Sequence, residues 1–126
     1  MKIQENDPPR EFEVGWGPKF TLQDCAHIEL AANEQVTFKT EAGGEYDVVR
    51  KDWGFYATPS INSRLERFGL RAMLVGNKVG HFYVMLVEDG KDTEFAKYVQ
   101  EEELTVYGPL NAETLPAIAK GMSGDK

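Results

Sequence analysis

Residues 35–39 alternate between apolar and polar, with Val36 and Phe38 set against Gln35, Thr37 and Lys39. That is the period of a strand with one face buried. Residues 27–30 alternate in the same way. The loop at 41–44, which ends in Gly43 and Gly44, separates residues 35–39 from 45–50, as in a hairpin with a four-residue connection. Residues 53–57 read as one more short strand. Residues 70–75 and 81–87 are apolar on both faces and rich in branched and aromatic side chains. They read as central strands joined through the glycine-flanked turn at 76–80. Residues 104–107 are short enough for an edge strand.

The helical period shows at residues 58–69. Thr58 is placed to cap, Pro59 suits a first helical position, and Ile61, Leu65 and Phe68 form a stripe at i, i+4 and i+7. Gly69 stands where a left-handed cap needs glycine. The spacing predicts a helix over about 59–68. A second is predicted over about 93–102, capped by Asp92, with Phe95 and Val99 on its inner face. The resulting order of strands, helix, two strands, helix and strand predicts an α+β fold: a single compact domain with a mostly antiparallel sheet. Residues 1–11, with Pro8, Pro9 and no periodicity, read as a flexible N-terminal arm. The domain then runs over 12–110. Residues 111–126 form a C-terminal segment with a short helix over 112–120 and a frayed end.

Composition sharpens this picture. With 126 residues, 41% hydrophobic, the chain suits one domain with a core of its own. The net charge of −7 and the low isoelectric point, near 4.8, argue against nucleic acid, which needs a basic face. The apolar runs at 72–75 and 82–87 are too short to span a bilayer, so no membrane association is expected. One cysteine, Cys25, allows no internal disulfide. The charged, proline-bearing opening is unlike a secretory signal, so a cytoplasmic protein is expected.

Charge is unevenly distributed. Residues 50–78 hold Arg50, Lys51, Arg64, Arg67, Arg71 and Lys78 against Asp52 and Glu66, a local +4 in an acidic chain. Arginine grips carboxylates and phosphates through paired hydrogen bonds. The candidate ligand-binding residues are Thr58 and Ser60 at the start of the predicted helix, Arg64 and Arg67 on its polar face, and Trp53 and Arg71 nearby. An anionic ligand is the chemistry they suit. The competing reading makes the arginines a solvated face and the aromatics Trp53 and Phe55 part of the core.

Catalytic groupings are sparse. His27 and His81 belong to no metal-ligand spacing, so no metal is expected, and neither phosphate-loop nor dinucleotide glycine patterns occur, so no cofactor is expected either. Cys25 and His27 are two apart and would share a strand face. The carboxylates Glu41, Glu45, Asp47 and Asp52 have no spacing that marks an acid and a base. No catalytic residue is assigned.

The stretch from Gly54 to Gly69, GFYATPS-x-N-x-R-L-x-x-FG, resembles a small bacterial domain family of uncharacterised function, associated with proteins of cell-surface polysaccharide synthesis. The resemblance covers residues 34–107. It implies a sugar or sugar-nucleotide context and carries over no catalytic residue.

Three readings follow. The first is a non-catalytic binding or accessory module for a phosphorylated sugar or nucleotide sugar. The second is a protein-interaction or oligomerisation domain, its basic window set against acidic surfaces of another copy or an acidic partner. The third, a small enzyme built on Cys25 and His27 or on a scattered carboxylate pair, ranks last.

Overall fold

Residues 20–29, which alternate except at Asp24 and Cys25, build the first structural unit. In the computed structural model, which describes residues 1–124, β1 (Lys2–Val14) and β2 (Phe20–Glu29) pair antiparallel as a two-stranded ribbon. Opposite residues share a face, so Phe20, Leu22, Ala26 and Ile28 lie on the side of Val14, Phe12 and Ile3. Residues 2–11, expected as part of a flexible arm, lie in a strand that continues through the expected boundary at residue 12. Pro8 and Pro9 hide the alternation in the sequence, and the ladder accommodates them by a register shift between Glu5 and Arg10.

Two three-stranded sheets follow. One has the order β3 (Gln35–Lys39), β4 (Glu45–Lys51), β5 (Gly54–Ala57). The other places β6 (Leu70–Gly76) between β7 (Phe82–Glu88) and β8 (Thr105–Pro109). All pairings are antiparallel, and the α+β class stands. The single sheet expected from the sequence is three sheets. Only β6 of the two expected central strands is central: β7 is an edge, apolar on both sides yet largely open along Phe82, Tyr83 and Val84.

The first expected helix is shorter than its stripe suggests. The α-helical turn α1 covers only Arg64–Arg67, preceded by turns from Ile61 to Ser63. Thr58 does not cap it. Its N–H donates to the Asp47 carbonyl (3.0 Å) and its hydroxyl to the Asp47 carboxylate (3.4 Å), so a strand residue eleven positions earlier claims the group. Ser60 takes the capping role instead: its Oγ accepts from the Arg64 N–H (3.1 Å) and its carbonyl from the Leu65 N–H (3.0 Å). Gly69, at φ +82°, ends the turn as its position predicts. The second helix, α2 (Asp92–Glu101), starts one residue before the expected span, with Lys91 preceding it. The C-terminal helix, α3 (Leu115–Met122), is displaced from 112–120 because Asn111 Oδ1 accepts from the N–H groups of Glu113 and Thr114, holding a turn there. The expected fraying extends to residues 125–126, which lie outside the described residues.

The core sits where α1 covers one end of the β7-β6-β8 sheet. Leu65 is 0% exposed and packs with Leu70 and Ala72, flanked by Tyr46, Ile61, Leu86 and Leu110. The apolar stripe of the expected helix thus does its burying from a turn and one helical turn. Among the described residues, no helix is long and apolar enough to cross a membrane.

Candidate functional site

The arginines that stand out in the sequence are spread over different environments. Arg64 reaches back to Asp47, its guanidinium 3.4 Å from Oδ2, and lies over the Phe68 ring at 5.1 Å. Asp47 is buried in β4 and also accepts the Thr37 hydroxyl at 2.6 Å, so the guanidinium completes a structural carboxylate site. Arg71 is paired with Asp92 at the start of α2. Lys78 is paired with Glu103 and lies over the Trp16 ring. Lys51 donates to Asn33, and Arg50 to the Gly54 carbonyl while stacking on Phe55. Arg67 is exposed.

The structure does not gather Thr58, Ser60, Arg64, Arg67, Trp53 and Arg71 into one pocket. Thr58 and Arg64 meet at Asp47, and Ser60 is engaged by the turn it caps. Arg71 lines a cleft of about 390 Å³ with Glu66, Asp89 and Asn111, where two carboxylates face a guanidinium already paired. Trp53 lies in the turn between β4 and β5, 68% exposed and stacked on Tyr56 with ring centroids 6.0 Å apart. Phe55 is exposed too, so neither aromatic is core. The charge reversal is real in the sequence, yet three of its six cations, Arg64, Arg71 and Lys78, are paired with carboxylates from other elements.

The catalytic candidates also separate. Cys25, exposed on the ribbon, donates only to the Gln23 carbonyl, at 3.5 Å. His27 turns to Asp24, with Nε2 3.0 Å from its carboxylate. The His27 contact, with Arg10 beside it, holds the Asp24 carboxyl below the usual carboxylate range. His81 is exposed, with its backbone tied into the Asn77 turn. Among the described residues, no group of three His, Cys, Asp or Glu side chains is placed to hold a metal.

Two features escaped the sequence reading. The first is the anchor of the ribbon. Buried Glu102, just past α2, accepts from the Trp16 N–H (3.0 Å) and the Gly17 N–H (3.3 Å). A Cβ on Gly17 would lie 2.0 Å from the Glu101 carbonyl oxygen, so only glycine permits the approach. Phe20 meets Tyr98 edge-on at 6.2 Å beside it. Burial raises the Tyr98 hydroxyl above the ordinary tyrosine value, helped by the Glu102 and Tyr83 charges. The triple-glutamate run 101–103 thus contributes a clasp through its middle residue.

The second feature is uncovered apolar surface. On the face that α1 covers at its other end, Phe82 (62% exposed) meets Tyr107 (60%) with the rings tilted and centroids 5.7 Å apart, next to Val84 (57%). An open groove of about 560 Å³ runs between the Met85–Glu88 half of β7 and Phe95 and Tyr98 of α2. The accessible surface totals 9028 Å², against about 6,800 Å² expected for a folded monomer of this mass.

No family model matches this chain, and neither the curated proteins nor the solved structures provide a match.

Proposed function

We propose that this chain is a non-catalytic protein-interaction module whose apolar surfaces are covered by association. The single observation that carries the reading is area. The excess over a monomer of equal mass is about 2,200 Å² per chain, more than the roughly 800 Å² each partner contributes to a standard interface. The exposed groups are large and apolar, including Phe82, Val84 and Tyr107, and patches of that kind mark interaction sites.

This differs in chemistry from an electrostatic contact through the basic window. With Arg64, Arg71 and Lys78 engaged by Asp47, Asp92 and Glu103, half of the window's cations are already paired within the chain, which weakens its pull on an acidic partner. Association is therefore expected to persist or strengthen as salt screens the net charge of −7.

Sedimentation across protein concentration at low and high salt tests the reading. The expected result is a reversible species heavier than 14.2 kDa. A chain that stays at that mass at every concentration, and binds no dye that reports apolar surface, overturns it. The anion-binding alternative has its own signature. A thermal-shift panel of inorganic phosphate, sugar phosphates and nucleotide sugars is expected to leave the melting point unmoved. A shift of several degrees that vanishes in Arg64→Ala/Arg67→Ala would favour that alternative instead.

A further inference from the structure

The sheet edges of this molecule are not equally defended. Natural proteins blunt exposed edges with charge, proline, bulges or brevity, because a free row of backbone groups recruits another strand. The ribbon strands carry charges and, in β1, Pro8 and Pro9. β3 presents Gln35, Thr37 and Lys39, and β5 has four residues. β8 is interrupted by a register shift, with Gly108 at φ +144° and then Pro109. β7 has none of these devices: from Phe82 to Val87 it reads FYVMLV, regular along its whole pairing with β6.

The two halves of that edge also complement each other. Phe82, Tyr83 and Val84 project into solvent, whereas Met85 borders the groove against Phe95 and Leu86 packs on the Leu65 cluster. An antiparallel pairing of two identical strands about a twofold axis brings the first half of one against the second half of the other.

We propose that β7 is the surface on which two copies of this chain pair, edge to edge and antiparallel about a twofold at Val84, so that two three-stranded sheets become one of six. The inference rests on the protein-interaction reading and names its partner as a second copy. In this register Val84 stands opposite Val84, Tyr83 opposite Met85, and Phe82 opposite Leu86. Directly opposite residues share a face, so Tyr83 of each copy, opposite Met85, is brought to the groove of the other, while Phe82 meets Leu86 on the face that α1 covers. Residues 81–87 carry no acidic or basic side chain other than His81, so two acidic chains meet without charge repulsion along the seam. Main-chain hydrogen bonds set the register, and the rings seated in the grooves contribute the apolar area.

Four chains test this: wild type, Val84→Lys, and Val84→Cys and Val106→Cys, each in a Cys25→Ser background. Wild type is expected to sediment as a concentration-dependent dimer. Val84→Lys places a charge at the centre of the seam and is expected to weaken dimerisation at least a hundredfold while leaving the circular dichroism spectrum unchanged. Val84→Cys is expected to form a disulfide-linked species of twice the chain mass under mild oxidation. The matching Val106→Cys on the β8 edge is expected to stay monomeric on a non-reducing gel. The Cys chain decides the matter if the Lys variant misfolds. A wild-type dimer with an unaffected Lys variant, or with no cross-link at position 84, overturns the β7 seam and leaves the interaction reading standing. A wild-type chain that is monomeric at all concentrations overturns the β7 seam together with self-association.

Discussion

The same face of the β7-β6-β8 sheet has two fates. At one end Leu70, Ala72 and Leu86 are packed under Leu65; at the other Val84, Phe82 and Tyr107 face solvent. The residues are equally apolar, and the same strands carry them. What differs is the cover: the segment from Pro59 to Phe68 folds over the first end, held by the Thr58 and Arg64 contacts to Asp47, whereas Phe82, Val84 and Tyr107 at the second stay largely exposed. Apolarity marks a face for burial, and topology decides whether the burying partner lies within the same chain.

The largest effect that tests this contrast is a pair of truncations. Leu65→Ala is expected to cost about 2–5 kcal/mol in chemical denaturation, because a fully buried side chain leaves a cavity. Phe82→Ala is expected to cost the isolated chain about 1 kcal/mol or less and to act on association instead. Equal costs would mean that the open end is a core in its own right.

Asp47 comes next, since it ties down the cover. Asp47→Ala strands the Thr37 and Thr58 hydroxyls and the Arg64 guanidinium, with an expected loss of about 2–3 kcal/mol. Arg64→Ala, at the exposed side of the same contact, is expected to cost about 1 kcal/mol at most. If the arginine proves the costlier change, the charge and not the cover is the organising element.

Gly17→Ala probes the opposite face of the sheet, where the ribbon is clasped. The added methyl cannot fit beside the Glu101 carbonyl, and a penalty of about 1–3 kcal/mol is expected, confined to the clasp. Hydrogen exchange should speed up at the Trp16 and Gly17 amides and stay slow in β6. Acceleration throughout the sheet would show that ribbon and core unfold together.

The smallest effect concerns pH. Asp24 has a lowered folded-state pKa, so its contribution is fully present above the free aspartate value of about 3.9 and is lost as pH falls through the lower folded value. The amides flanking Asp24 are expected to lose protection in that acid range, and Asp24→Asn should remove the step. A transition shared with the Leu65 core would join regions that the structure keeps apart.

How much of this was legible in the sequence follows from distance along the chain. The hairpin of β3 and β4 was legible because alternation and a glycine loop lie within 17 residues of each other. The stripe Ile61, Leu65, Phe68 correctly identified a burying segment, but not that it is mostly turn, since Asp47 diverts Thr58 from capping. The ribbon was missed because Pro8 and Pro9 interrupt its pattern while its partner strand lies downstream. The arginine cluster was visible as composition; its neutralisation was not, because Asp47, Asp92 and Glu103 lie 17, 21 and 25 residues from the cations they bind.

The clasp at Glu102 has a consequence for timing. The loop it holds is fixed by two main-chain donors and by the glycine contact beneath them, at the end of α2 that also supplies a wall of the β7 groove. A groove whose wall is braced on its far side keeps its shape before anything enters it. Encounter then needs orientation and no rearrangement, which favours ordinary rigid-docking on-rates of about 10⁵–10⁷ M⁻¹s⁻¹. Loosening the brace should leave the lifetime of a formed pair nearly unchanged and slow its formation.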